Sequence, residues 1–456
     1  MLIAVLAMAV LAAPGAAGST SCDLVVAPNG SDSAAGTEAA PLASVEQLLD
    51  DLDSGETGCL RSGTYGARQF KVETPGITLT SYPGERATLR GQLRFNPSAV
   101  GAIAQNMLLD GRNSDDLLGP LIYADGVILR GNEITNHNTA ICVHVTDYSD
   151  QAPPEGVIIE DNEIHNCGQL PATNLDHGIY IAHARGTIIR DNVIYANADR
   201  GVQLYPDADD SLVTGNVIDG NGQGVIFGGG PSSSSDDNLV TRNVITNSTI
   251  RFNVESHWQG PTGTGNVARD NCVWTEQRDY HEGSPAGSGI QSMSGAVAKE
   301  NLVANPAYAN PAAGDYSLKP GSACADVLAG APMPPDAPAP SDPPDRSGGG
   351  TGGKVKSPCA PFKTDTPGRR FLVGTRSSDR LVGGTGSDRI RGMAGNDRIR
   401  AGSGGPDCLI GSSGGDRLRA VNRKRDIVSC GPGRDRAVVD RKDRIRGCER
   451  VVTRHG

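Results

Sequence analysis

A three-residue pattern recurs through the middle of this chain. Asn132-Glu133-Ile134 returns as Asn162-Glu163-Ile164, Asn192-Val193-Ile194, Asn216-Val217-Ile218, Asn243-Val244-Ile245, Asn271-Cys272-Val273 and Asn301-Leu302-Val303, at spacings of 30, 30, 24, 27, 28 and 30 residues. Self-similarity at such a period marks a solenoid, whose repeats bury their apolar faces only against their neighbours. Within each repeat the apolar residues alternate at period two and glycine-rich corners follow, so the coils are built of strands, not helices. A second alternating run includes Ile179 and Ile181, Val202 and Leu204, Val225 and Phe227, and Phe252 and Val254. Stacking would bring each triplet asparagine into a column with rungs about 4.8 Å apart, where the buried amides can satisfy one another.

The asparagine column and the Gly178-Ile179-Tyr180-Ile181 type of strand resemble the right-handed parallel β-helix family over about residues 100–325. The fold expected is all-β: a right-handed parallel β-helix with an N-terminal cap, followed by a small glycine-rich β-roll. That family contains lyases, hydrolases, epimerases and adhesins, so the resemblance carries the fold further than the reaction. Asn29-Gly30-Ser31-Asp32, Gly36-Thr37, Pro41 and Gly63-Thr64-Tyr65 resemble the cap and first coils of β-helix polysaccharide lyases, the pectate-lyase-like superfamily. Ser44 reads as the N-cap of a short helix over Val45 to Asp53. The divisions expected are a signal peptide at 1–18, cap and first coils at 19–99, the β-helix at 100–325, a Pro/Gly/Ser linker at 326–356, and a disulfide-containing repeat domain at 357–456.

Sixty glycines, 29 prolines and 4% aromatics suit a turn-rich β chain. Met1 to Ala13 is apolar and uncharged and is followed by small residues, which resembles a secretory leader although a basic start is missing. It is too short to span a bilayer. The ten cysteines fall into even groups: Cys22 and Cys59, Cys142 and Cys167, Cys272 and Cys324, then Cys359, Cys408, Cys430 and Cys448. Such grouping suits disulfides in an oxidising compartment, with Cys430 and Cys448 favoured in the last group for their short loop; no spacing supports zinc. A secreted, extracellular monomer is expected, with a polysaccharide or cell-wall glycan as partner, and neither a membrane span nor a nucleic-acid partner. Charge divides sharply: residues 1–350 carry 18 Lys and Arg against 41 Asp and Glu, a net of −23, whereas 351–456 carry 24 against 11, a net of +13.

In the tail, Asp379, Asp388, Asp397, Asp407, Asp416, Asp426 and Asp435 recur every nine or ten residues. Gly383-Gly384-Thr385-Gly386-Ser387-Asp388-Arg389-Ile390-Arg391 and the unit after it match the nonapeptide of hemolysin-type RTX β-rolls. That resemblance implies Ca²⁺ held by Asp379, Asp388, Asp397 and Asp416 with turn carbonyls. An arginine follows five of the seven aspartates and opposes a cation. The alternatives are a degenerate roll held by disulfides and Asp–Arg pairs, or a basic surface for an anionic polymer.

Stacking also gathers side chains along the second strand. Counted from the asparagine triplets, Ile141, Ile179, Val202, Val225 and Phe252 face inward. Cys142, Tyr180, Gln203, Ile226 and Asn253 then share one outward level, with His144, Tyr205 and Glu255 two residues further on. His177 and Arg200 sit together at the preceding corner, His183 at the other, and His257 and Trp258 lie just beyond. An exposed strip of titratable and aromatic groups suits a glycan groove. Cleavage of a uronate-containing glycan by β-elimination needs a base, an acid and neutralisation of the uronate carboxylate. His177 and Tyr180 are the expected acid and base, and Arg200, or a Ca²⁺ held by Glu255, the neutraliser. His183, Gln203, Tyr205, Asn253, Glu255, His257 and Trp258 are the expected substrate contacts. A groove lysine of the kind some lyase families use is absent, since residues 100–325 contain only Lys299 and Lys319. Asp176 and Asp199 offer a hydrolase pair, or plain corner residues. The joining of a β-helix to RTX modules resembles mannuronan epimerases, although their Asp-Pro-His motif is missing. A non-catalytic glycan-binding or cell-surface protein with calcium-binding repeats is the remaining alternative.

Overall fold

The computed structural model describes residues 22–112, 119–149, 151–256, 262–276, 287–291, 295–328, 371–373, 378, 380–386, 388–392, 396–411, 414–431 and 433–454. The expected leader, most of the expected linker, His257, Trp258, Asp379 and Cys359 lie outside them.

Ser44 caps the helix Val45–Asp51 by accepting from the Gln47 amide, and the helix buries Val45, Leu48 and Leu49 over the open end of the coils. From Leu24 to Val303 the strands pair in parallel, coil on coil, and form three walls. An eleven-stranded sheet runs from Leu24–Val26 to Ala296–Lys299. The other two walls form one sixteen-stranded sheet, joined through the long strand Ala87–Phe95. Inward Val, Ile, Leu and Phe from all three walls fill a single continuous core.

The wall following the triplets is held as expected. The Asn162 amide N–H and Nδ2 both donate to Asn192 Oδ1, at 2.9 and 3.0 Å. Asn192 repeats this toward Asn216, Asn216 toward Asn243, Asn243 toward Asn271, and Asn271 toward Asn301. Each side chain so satisfies buried amides that would otherwise face hydrocarbon. Two shorter ladders escaped the triplet pattern. Asn197 stacks on Asn221, and Asn238 on Asn266, each in the same bonding mode.

The parallel coils end at Leu302–Val303, and residues 308–318 form an antiparallel hairpin instead of a further coil. Tyr308 and Tyr316 of the hairpin pack onto the triplet wall, and the Cys272–Cys324 disulfide ties down the segment that follows. Cys22–Cys59, Cys142–Cys167 and Cys430–Cys448 also pair within their groups. In the tail, strands from Phe371–Val373 to Arg450–Thr453 make two parallel five-stranded sheets around a small core of Ile390, Ile399, Leu409, Leu418 and Val428.

Candidate functional site

The wall made by Val143–Val145, Ile179–Arg185, Arg200–Asp209, Gln223–Phe227 and Val254–Ser256 carries the candidate site. Its register places His144 beside Tyr180, Tyr180 beside Gln203, Gln203 beside Ile226, and Ile226 beside Glu255. Counting from the asparagines misplaces the two end coils. From Asn216 to its inward residue Val225 is nine residues, but from Asn132 to Val143 and from Asn243 to Val254 it is eleven. A slip of two keeps the in–out alternation, so periodicity alone cannot detect it. His144 and Glu255 therefore join Tyr180 and Gln203, and Cys142 and Asn253 leave that level. Cys142 is disulfide-bonded. Asn253 is buried at the corner, where it donates to the Trp274 and Ser288 carbonyls and accepts from the Ser248 amide, so it is no substrate contact.

The corner preceding the site strands repeats as His177-Gly178, Arg200-Gly201 and Gln223-Gly224. The Gly178 amide donates to the Arg200 carbonyl, and Arg200 pairs with Gln223. Only glycine fits inside this column: a Cβ at Gly224 would stand 2.1 Å from the Asn253 carbonyl oxygen. His177 and Arg200 are thus brought together as expected, but both are buried. His177 meets the edge of Tyr180, with ring centroids 5.4 Å apart. Burial, and then the Arg200 charge, hold its imidazole well below the usual histidine range. Arg200 donates to the Asn174 carbonyl and side chain at 3.1 and 2.6 Å, which anchors the preceding loop.

Tyr180 is half-buried and stacks flat on His144, with centroids 4.8 Å apart. Burial pushes its phenol up to about 12, so it is a proton donor at neutral pH. Burial, and secondarily the nearby His183, pulls His144 down to about 4, which leaves a neutral ring. Glu255 is buried, and desolvation outweighs Arg251 and Arg200 to raise its carboxyl to about 7. Arg251 Nη2 lies 2.8 Å from Glu255 Oε2. A guanidinium in that position opposes a cation, so Glu255 does not fit the expected groove Ca²⁺. His183 lies 3.6 Å from Asp207, and Tyr205 is half-buried further along its strand. Asp199 spends a carboxylate oxygen on the Asp176 amide at 3.0 Å, the bonding of a corner residue.

His144 Nδ1 and Nε2, His177 Nδ1, Arg200 Nε, Gln203 Oε1, Gln223 Oε1 and Glu255 Oε1 are all buried without a hydrogen-bond partner among the described residues. Most buried polar groups in folded proteins are satisfied, and each orphan costs about 1–3 kcal/mol. Other orphans, such as Thr187 Oγ1, Thr241 Oγ1 and Trp274 Nε1, are scattered over the remaining walls, whereas these lie together on one wall and its corner and include the titratable His144, His177, Arg200 and Glu255. Counted from the asparagines, His144 falls two residues too far along the strip and carries no role, and Arg251 is left out. Aligning Val143-His144-Val145 with Ile179-Tyr180-Ile181 would have found the first; Arg251 carries no comparable signal.

In the tail, aspartates stack every second turn. The Asp388 amide donates to Asp407 Oδ1 at 2.7 Å, Asp397 to Asp416 and Asp407 to Asp426 at 2.8 Å, and Asp416 to Asp435 at 2.7 Å. Burial raises Asp407 to about 7 and Asp416 and Asp426 to about 6. Asp388 uses its second oxygen on the Gly384 amide at 2.6 Å. The second oxygens of Asp416, Asp426 and Asp435 are buried with no hydrogen-bond partner among the described residues. A Cβ at Gly411 would lie 2.5 Å from that of Asp416, so glycine keeps this oxygen clear. Such hard oxygens suit Ca²⁺. No three acidic, His or Cys side chains converge among the described residues, so backbone carbonyls and water would complete any shell.

Two family descriptions match the chain. Residues 119–305 match "Right handed beta helix region", and residues 373–406 match "RTX calcium-binding nonapeptide repeat (4 copies)". The protein is thus a right-handed parallel β-helix followed by RTX-type repeats. A stretch of 91 residues is 35% identical to pectate lyase PEL9 of Emericella nidulans, covering 18% of this chain and only 22% of that protein. Among solved structures, pectate lyase Pel9A aligns at 15% identity with a TM-score of 0.44, over 66% of this chain and 91% of that one. The A-module of mannuronan C-5 epimerase AlgE4 from Azotobacter vinelandii aligns at 12% with a TM-score of 0.38, over 88% and 89%.

Proposed function

We propose that this chain is a secreted carbohydrate-active enzyme that cleaves a uronate-containing glycan by β-elimination. The observation that carries the reading is the strip of desolvated, unpartnered polar groups along one wall from His144 to Glu255. Buried groups held at perturbed pKa values in one place are what acid–base chemistry requires. The short stretch resembling a pectate lyase agrees with it.

In this reading His144, neutral and without a hydrogen bond, takes the proton from the carbon α to the uronate carboxylate. The electron pair closes a double bond to the β carbon, the bond from that carbon to the bridging oxygen breaks, and Tyr180 or protonated Glu255 returns a proton to the leaving oxygen. Arg251, beside Glu255, offsets the charge that grows on the carboxylate. His177 and Arg200 become positioning residues: one fixes the Tyr180 ring and the other holds the loop at Asn174. Tyr205, Gln203 and His183 remain the substrate contacts. Ca²⁺ belongs to the C-terminal repeats rather than to this wall.

Incubating the full chain with polygalacturonate, alginate and a neutral galactan tests the proposal. The expected result is ultraviolet absorbance from an unsaturated product with one of the two uronates. His144→Ala and Tyr180→Phe should each lower turnover by about a hundredfold or more, a usual loss for an acid or base. New reducing ends without absorbance would identify a hydrolase, and retention without cleavage a binding protein. Either result, or full activity in His144→Ala, overturns the assignment.

A further inference from the structure

The tail has a second surface that the groove does not use. Arg380, Arg398, Arg417, Arg436 and Arg450 stand at one register position on five consecutive parallel strands. All five are exposed, as are Arg400 and Arg419 in the next outward row. The rungs are about 4.8 Å apart, so five of them span about 19 Å. None of these seven guanidinium groups pairs with a carboxylate among the described residues. The Asp–Arg pairs of the alternative reading are not seen among the described residues: Asp397, Asp416 and Asp435 are buried, while Arg398, Arg417 and Arg436 after them are exposed. Like charges at neighbouring positions of a sheet destabilise it. Here they are stacked without relief, in a segment whose net charge is +13. An open cavity of about 500 Å³ lies against the same ladder, lined by Arg380, Arg398 and Arg417 with Ser378, Asn396 and the buried Asp397.

We infer that this sheet face binds a linear acidic polysaccharide through its carboxylates. A guanidinium fork matches a carboxylate in two parallel hydrogen bonds, and a row of forks at constant spacing fits a polymer that repeats its charge. Ser378 and Asn396 add neutral partners of the kind sugar hydroxyls take. Single-stranded nucleic acid is the less suited polyanion, because its recognition uses aromatic platforms. No aromatic residue occurs on the five strands Arg380–Gly384, Arg398–Gly402, Arg417–Ala420, Arg436–Val439 and Arg450–Thr453. The surface does not depend on the catalytic reading, since it shares no residue with the groove. It answers a difficulty that the groove faces, because the −23 of residues 1–350 repels a polyanion that the basic tail would attract.

The test is retention of the full, disulfide-intact chain in affinity electrophoresis through polygalacturonate, a neutral galactan, or a single-stranded oligodeoxynucleotide. Arg398→Gln/Arg417→Gln should weaken retention by polygalacturonate about tenfold, the scale of two exposed ion pairs. Lys424→Gln/Arg425→Gln removes the same charge from an exposed turn off the ladder and should change retention less than about twofold. Arg398→Lys/Arg417→Lys, which keeps charge but loses the fork, should fall between them. Equal weakening by the off-ladder pair, equal retention by galactan, or tighter retention by the oligonucleotide each overturns the inference. Cleavage of a short uronate oligomer, measured in parallel, should be unchanged in all three variants. Loss of retention with cleavage intact separates this surface from the groove, and retention in a chain that cleaves nothing upholds the surface while refuting the enzyme.

Discussion

Glu255 is the residue whose protonation is open to direct measurement. Its carboxyl sits near 7 in the fold, above the ordinary carboxylate value, because burial outweighs its two arginine neighbours. A raised carboxyl binds a proton more tightly folded than unfolded, so its contribution to stability is full below the unfolded pKa and disappears as pH rises through about 7. His144 works in the opposite sense: its ring, held at about 4, takes up a proton less readily when folded, so stability falls as pH drops below the ordinary histidine range. Denaturation of Glu255→Gln and wild type from pH 5 to 8 should therefore differ in slope. Wild type loses on the order of 2–3 kcal/mol across that range relative to the variant. Parallel pH profiles would show that Glu255 is ionised throughout, which would remove it as a proton donor.

At the level of the strand and coil, stability resides in the asparagine column. Asn192 accepts from the Asn162 amide and side chain, and donates to Asn216 and to the Ile159 and Arg190 carbonyls. Asn192→Ala strips several buried partners at once and should cost about 3 kcal/mol, measured by chemical denaturation. A loss under about 1 kcal/mol would mean that water or a shifted coil repairs the ladder. The same column is rigid in its own register while the loops leaving it vary in length, which is how the site wall slips by two residues against it in the end coils.

Across the whole molecule, two solenoids of opposite charge follow one another along the chain. In the second, alternation resolves the apparent conflict between aspartate and arginine: period two sends the carboxylates into the core and the guanidinium groups to solvent. Calcium on the open oxygens of Asp416, Asp426 and Asp435 should raise the unfolding transition of the tail, by about 2.7 kcal/mol at a hundredfold excess over Kd. Calorimetry of the full chain with calcium and with chelator reads this. Coincident transitions, or an Asp416→Asn chain that responds as wild type does, would show that the roll stands on hydrogen bonds alone.

The β-helix, its asparagine ladder, the helical cap and the disulfide groups were legible in the chain because each depends on local spacing or on residue type repeated at a period. The corner column of His177 and Arg200 was legible for the same reason. Of the neighbours of Tyr180 across the wall, Gln203 was legible and His144 was misplaced by two residues. Which residue stands beside which across a wall depends on how many residues each corner absorbs, and the two-residue alternation is blind to a slip of two. Matching strand sequences can bring His144 onto Tyr180, but only the stacked backbone brings Glu255 into their row. Burial, which then displaces their proton affinities, is a property of the assembled wall and of no single stretch of sequence.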